Sequence, residues 1–391
     1  MQSESSEEGR LGFIEAVTGL FHLQMTILTL LIRAHTGIEN SGSSMKDWMQ
    51  SIGRKFTMFD WTKEMIIDFN RCHDFFRTLS EGYLLAAVGM ELNVKSWVEL
   101  CNAARTENWR DALGKVLKKY GDAEDLVSNL RSKEENERDL VYENAVLFLQ
   151  HATVYETFVQ SMRKGNMDLV EFSIKTFTIW LHNVEKPTSF PRYRREMLRL
   201  MGCLKHVWSK EFREYYLDNC IVNFDGKEEG FMAADQACEH WIRELKEDAP
   251  SGGDPSKLAY YREILAPQAS HIRNIRTKIY EATGIISHYS HSSRVDKSAD
   301  VRKVTEVLLQ EGAFEFKKGR KKNRKGKVMV GSSIDVHDLG AIQLLKGTAV
   351  VDLKKRTRGD IASSPEDSLQ TDEITACMRE EGANLDSESN E

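Results

Sequence analysis

Proline is scarce in this chain, with six in 391 residues. Strands and turns need more punctuation than that, so the scarcity favours helix. The cysteines (Cys72, Cys101, Cys203, Cys220, Cys238 and Cys377) are few, scattered and without a Cys-x-x-Cys pair. No disulfide framework or zinc ribbon is legible, and free thiols of this kind read as small buried hydrophobes of a reducing compartment, nucleus or cytoplasm. Long apolar runs are missing too. Leu20 to Ile32 is the most apolar stretch, but it holds His22 and Gln24 and is too short to span a bilayer, so no membrane partner is expected. The acidic start MQSESSEEGR is neither a secretory signal nor a transit peptide. The phosphate-binding loop, the nucleophile elbow and the His-Glu-x-x-His zinc motif are all absent.

What remains is 41% hydrophobic and 29% charged, enough to bury a sizeable core. Residues 1–12 read as a disordered leader. Phe13 to Phe21 is apolar and β-rich and reads as one buried strand ahead of a helix from His22 to His35, although a lone strand with no sheet to join either rearranges into helix or exposes an edge. A helix capped by Asp60 is expected to carry Met65, Ile66, Phe69, Phe76 and Leu79 on one face. Helices are then expected over Gly82–Met90, Lys95–Arg105, Leu140–Met162, Asp168–Leu181, Tyr193–Trp208, Lys210–Asn219 and Ala233–Glu247, with SKEENERD as a solvated connector. Residues 13–248 thus read as one helical domain, 249–256 (APSGGDPS) as a linker and 257–312 as a C-terminal helical segment. A basic segment, 313–358, contains Val328–Val330 and Ala349–Leu353, which pair in a small hairpin on this reading; 359–391 is an acidic disordered tail.

Asp235 and Glu239 lie one helical turn apart and share a face, a plausible edge for a divalent cation or simply a solvated acidic face. His240 points about 100° away from Glu239. His288 and His291 lack further ligands at zinc spacing and read as loop residues. Cys72, His73 and Asp74 are consecutive on a helix, diverge by about 100° each, and cannot act as a triad.

The sharpest compositional feature is KKGRKKNRKGK, eight basic residues in eleven. Lys317, Lys318, Arg320, Lys321, Lys322, Arg324, Lys325 and Lys327 are candidate phosphate contacts, salt-sensitive and indifferent to sequence, or a nuclear-import signal; the alternative is a solvated loop. The net charge of −6 hides a segregation. From Gly359 onward there are ten acidic residues and one basic, and the rest of the chain carries a net +3. A flexible tail of that length reaches back to the basic run and is expected to mask it.

The blocks GLFHLQM, RDLVYENAVLFLQHATVY, MRKGNMDLVE, YRREMLRLMGCLKHVW and NCIVNFDGKEEGFMAADQACEHWIRELK, in this order, resemble an uncharacterised transposon-associated family, domain of unknown function 6589. That family is in turn similar to the C-terminal half of ribonuclease-H-like transposases. The resemblance implies that Phe21–Met25 is a strand-end element, that residues 45–230 are a helical insertion, and that Glu239 is the last, vestigial catalytic carboxylate and metal ligand with Asp235 one turn before it. The chain departs from the pattern at Trp241-Ile242, where the family has a polar residue, and has no room for the two earlier aspartates. A two-metal site draws carboxylates from several elements to hold ions about 3.5–4 Å apart.

The expected fold is therefore mainly α, a multi-helix bundle resembling that insertion and final helix, with at most a minor sheet or hairpin. The expected function is a catalytically incomplete fragment with residual nucleic-acid association and no cofactor. One rival is a helical scaffold that binds a protein partner, offering some of Trp48, Trp61, Trp97, Trp109, Trp180, Trp208 and Trp241. Another is an active Mg-dependent nuclease that recruits Glu143, Asp168 or Glu171.

Overall fold

A computed structural model describes residues 17–345 other than 40, 42–43, 107–108, 122–123, 183–189, 225, 248–262, 264–265, 284–295 and 323–328. The fold is mainly helical, as the sequence predicts, with two two-stranded sheets among the described residues.

Helix α1 (Leu20–Ala34) is apolar on nearly every side and lies buried at the centre of the bundle. Here the strand expected over Phe13–Phe21 is corrected. Leu20 and Phe21 are the first helical residues, 17–19 form no strand, and 13–16 lie outside the described residues. A lone strand would have had no sheet to satisfy its backbone. Ser44 and Asp47 form a capping box at the start of α2 (Met45–Ser51).

The helix expected from Asp60 also starts later. The Asp60 carboxylate accepts the backbone N–H groups of Thr62 and Lys63, closing an Asx turn between β1 (Phe59–Asp60) and β2 (Met65–Ile66). The true cap is Asp68, and α3 (Phe69–Glu91) runs unbroken from it.

Next come α4 (Trp97–Thr106), α5 (Trp109–Val116) with a wide turn at Leu117–Gly121, and α6 (Glu124–Arg131). Asp139 caps α7 (Leu140–Lys164), which ends in left-handed Gly165, and α8 (Met167–His182) returns along it. Then follow α9 (Phe190–Gly202), a wide turn at Cys203–Val207 and α10 (Lys210–Asn219). The hairpin β3 (Ile221–Val222) with β4 (Met232–Ala233) leads into α11 (Ala234–Glu247). Last come α12 (Ala266–Thr283), α13 (Ser298–Glu311) and α14 (Val336–Leu345).

Phe76, Phe148, Tyr155, Phe158, Phe177 and Trp180 form a buried aromatic spine between α3, α7 and α8. Helix α13 packs into α3 where Gly82 and Gly89 leave room. A Cβ at either would meet Val304 or Leu309 at under 3 Å. Helix α14, unforeseen in the sequence, rests Gly340 against the Ile179 carbonyl of α8. Of the expected hairpin, Val328 and Ala349–Leu353 lie outside the described residues. Met329 instead pairs with Lys322 in an antiparallel bridge. No helix of the described residues is long and apolar enough to cross a membrane.

Candidate functional site

The two carboxylates proposed from spacing do meet a histidine. Helix α11 lies across the N-terminus of α1, where backbone N–H groups point outward without intrahelical partners. The Asp235 carboxylate accepts the Phe21 and His22 N–H groups, each at 3.1 Å, and the His22 ring nitrogen Nδ1 at 2.9 Å. Glu239, one turn further along α11, brings an oxygen to 3.8 Å from His22 Nε2. Asp235 is thus a helix cap supplied from another helix, favoured also by the positive end of the α1 dipole. The residue that permits this is Gly19, since a Cβ there would fall 2.1 Å from Asp235 Oδ2.

This arrangement does not fit a two-metal centre. Both Asp235 oxygens already accept backbone N–H groups, leaving Glu239 as the one uncommitted carboxylate beside His22. No group of three His, Cys, Asp or Glu able to hold a metal occurs among the described residues. The further acids considered for a nuclease are engaged elsewhere or lie elsewhere. Glu143 is buried in a bidentate pair with Arg138, Glu171 pairs with Arg213 and Lys175, and Asp168 sits in the first turn of α8. His288 and His291 lie outside the described residues, and His240 on α11 is exposed. Cys72, His73 and Asp74 diverge as expected, toward the Met58 carbonyl, the Tyr155 hydroxyl and Lys297 respectively.

The capping account makes a stability prediction. Asp235→Ala should cost about 0.5–2 kcal/mol, the usual worth of a lost N-cap, and Gly19→Ala should cost at least as much by displacing the carboxylate. Glu239→Gln should leave the urea midpoint nearly unchanged. Equal losses for Glu239→Gln and Asp235→Ala would overturn the account.

The basic run divides into residues with different tasks. Arg320 is only 16% exposed at its side chain and forks onto both oxygens of Asp139, each at 2.8 Å. Its remaining N–H groups bond the carbonyls of Glu311, Gly312 and Glu315. Arg320 therefore locks a turn to the start of α7, its guanidinium shared between Asp139 and three carbonyls. Around it, Lys317 pairs with Glu315, Lys318 with Glu137 and Lys321 with Glu135. Lys322 holds the bridge to Met329, and Arg324, Lys325 and Lys327 lie outside the described residues. Sequence reading missed an aromatic here. Phe316 is exposed, edge-on to Tyr142, with the Lys133 ammonium 4.8 Å from its ring centre.

A second cluster went unread because its members are far apart in the chain. His35 Nε2 and His151 Nδ1 share a hydrogen bond of 2.9 Å, and His35 Nδ1 meets Ser333 Oγ at 3.2 Å, all buried. Burial holds both imidazoles below the usual histidine range, His151 down to about 3.

No curated protein and no solved structure matches the chain. A family model does, over residues 1–291, and the chain accordingly belongs to this family of unknown function, DUF6589.

Proposed function

We propose that this protein is a catalytically incomplete, transposase-derived helical module, nuclear or cytoplasmic, that associates with nucleic acid through the surface around Lys317–Lys322. The observation that supports this reading is the turn at Phe316–Lys321. Arg320, largely covered, fixes its backbone, while Lys317 and Lys318 stand at the surface beside the exposed Phe316 and Lys133. Cations around an exposed ring can follow a phosphate backbone and stack a base. Exposed lysine–glutamate pairs contribute little in water, so phosphate can replace the carboxylates. The commitment of Asp235 to helix capping speaks against catalysis.

Generic duplex DNA should bind with an affinity that falls as salt rises from about 50 to about 200 mM, with a slope near 0.9 per phosphate contact. Replacing Lys317, Lys318, Lys321 and Lys322 with Ala should remove that binding. Binding indifferent to salt, or unaffected by the four substitutions, would sink the reading. Magnesium-dependent cleavage abolished by Glu239→Gln would restore the nuclease.

A protein-interaction role is favoured by one separate observation. Val207, Phe212 and Tyr215 are exposed on and just before α10, and Trp109 and Trp241 are the strongly exposed tryptophans among the described residues. A folded partner bound through Phe212 and Tyr215 would be lost on Phe212→Ser with Tyr215→Ser, with DNA binding unaffected.

A further inference from the structure

The acids that meet the basic run belong to the connector between α6 and α7, written SKEENERD in the sequence. Buried pairs hold the two strands of the contact in register. Arg320 grips Asp139, the Leu140 N–H donates to the Arg320 carbonyl, and the Lys317 N–H donates to Asp139 Oδ2 at 2.7 Å. With the register set, Glu137 falls on Lys318 and Glu135 falls on Lys321 at 2.9 Å. The hydrogen bonds from these lysines hold the two glutamates below the usual carboxylate range.

The two kinds of pair differ in accessibility. Asp139 is fully buried, whereas Glu135 is 85% exposed, Glu137 41%, Lys318 66% and Lys321 24%. The inner pair is structural, and the outer pairs lie where solvent and a polyanion can compete for the lysines.

We propose that Glu135 and Glu137 are a built-in phosphate mimic, occupying Lys321 and Lys318 and weakening this surface for nucleic acid until a polyanion displaces them. The inference rests on the nucleic-acid reading above and adds a regulatory contact to it. The ligand class is a phosphate backbone, because the two carboxylates present spaced negative charge to lysines and no base-specific donor pattern.

The test is binding of the full-length protein to a fluorescein-labelled duplex of generic sequence, followed by anisotropy across a salt series. Glu135→Gln with Glu137→Gln should tighten binding about tenfold at low salt. The slope of log K against log salt should steepen by about two, one for each freed lysine. Adding Lys318→Ala and Lys321→Ala to that variant should erase the gain.

A control removes equal charge at the other end of α7. Glu228→Gln with Glu229→Gln, beside Lys164, should tighten binding far less and leave the slope unaltered. If both double variants tighten alike, the effect is general charge and the proposal is overturned. If only deletion of 359–391 tightens binding, the mask is the tail and the connector proposal is overturned. Wild type that binds with no response to Glu135→Gln and Glu137→Gln defeats the mimic alone. No binding by any variant defeats the nucleic-acid reading as well.

Discussion

Arg320→Ala should lower the urea midpoint sharply, with a loss of about 3–5 kcal/mol, the cost of breaking a buried ion pair from one side. The Asp139 carboxylate that it leaves is fully buried. Three backbone N–H groups would still reach it, from Val141, Tyr142 and Lys317, but its charge would lose the guanidinium that neutralises it. The carbonyls of Glu311 and Glu315 would lose the guanidinium donor in the same step, while that of Gly312 would keep the Glu315 N–H. Against a typical total of about 5–15 kcal/mol, that loss is a large share of the fold. Arg320→Lys should recover only part of it, since an ammonium cannot fork onto two oxygens and three carbonyls. Lys318→Ala, two residues away but on a surface pair, should leave the midpoint essentially where it was. An Arg320→Ala protein with an unchanged midpoint would show that the pair carries no weight.

Arg320 also shows what a sequence can and cannot say. Eight cations in eleven residues read as one patch, yet the residue that matters most to the fold finds its partner 181 positions away. Local signals served well where helix ends are made locally. Ser209 and Gly312 set limits of α10 and α13 that the pattern of apolar residues already implied. Asp60 misled because an aspartate before an apolar run is a cap or an Asx turn, and only the chain beyond it decides. The site behaved in the same way. Asp235 and Glu239 were visible as a pair on one helix, but His22 joins them across 213 residues and no local spacing announces it. Helices α13 and α14 lie beyond the matched residues 1–291, yet Val304, Leu308 and Val336 complete the core. Their place was illegible for the same reason: nothing local at Gly82 or Gly340 announces the helix that presses on each.

Mild acid should unfold this protein well before its surface carboxylates titrate. His35, His151 and His182 are buried and His73 is partly so, and all four imidazoles are held below the ordinary value of 6.5, in each case first by desolvation: His35 well below it, His73 at about 4, His151 at about 3 and His182 at about 4. Their surroundings explain why. His35 and His151 share one hydrogen bond deep in the bundle, and both lie near the Arg131 guanidinium, which opposes a second positive charge. His73 stacks on Phe69 and meets the Tyr155 hydroxyl, and His182 Nδ1 donates to the Thr178 carbonyl. The sign follows from proton counting. Below about pH 6.5 each histidine is protonated in the unfolded chain and still neutral in the folded one. Unfolding then takes up protons, and stability falls as pH falls until the folded values are reached. Each such histidine contributes about 1.4 kcal/mol per pH unit, so four together remove about 5 kcal/mol between pH 7 and pH 5.5. Glu156 works in the opposite sense, because burial raises its carboxyl, but it acts only nearer the carboxylate range. Urea midpoints should therefore drop steeply from pH 7 to pH 5.5. His151→Gln should flatten the slope by about one proton's worth while lowering the midpoint at pH 7. A midpoint that stays level across this range would mean that the four rings already carry their protons in the folded protein, and that the desolvation argued for them is absent.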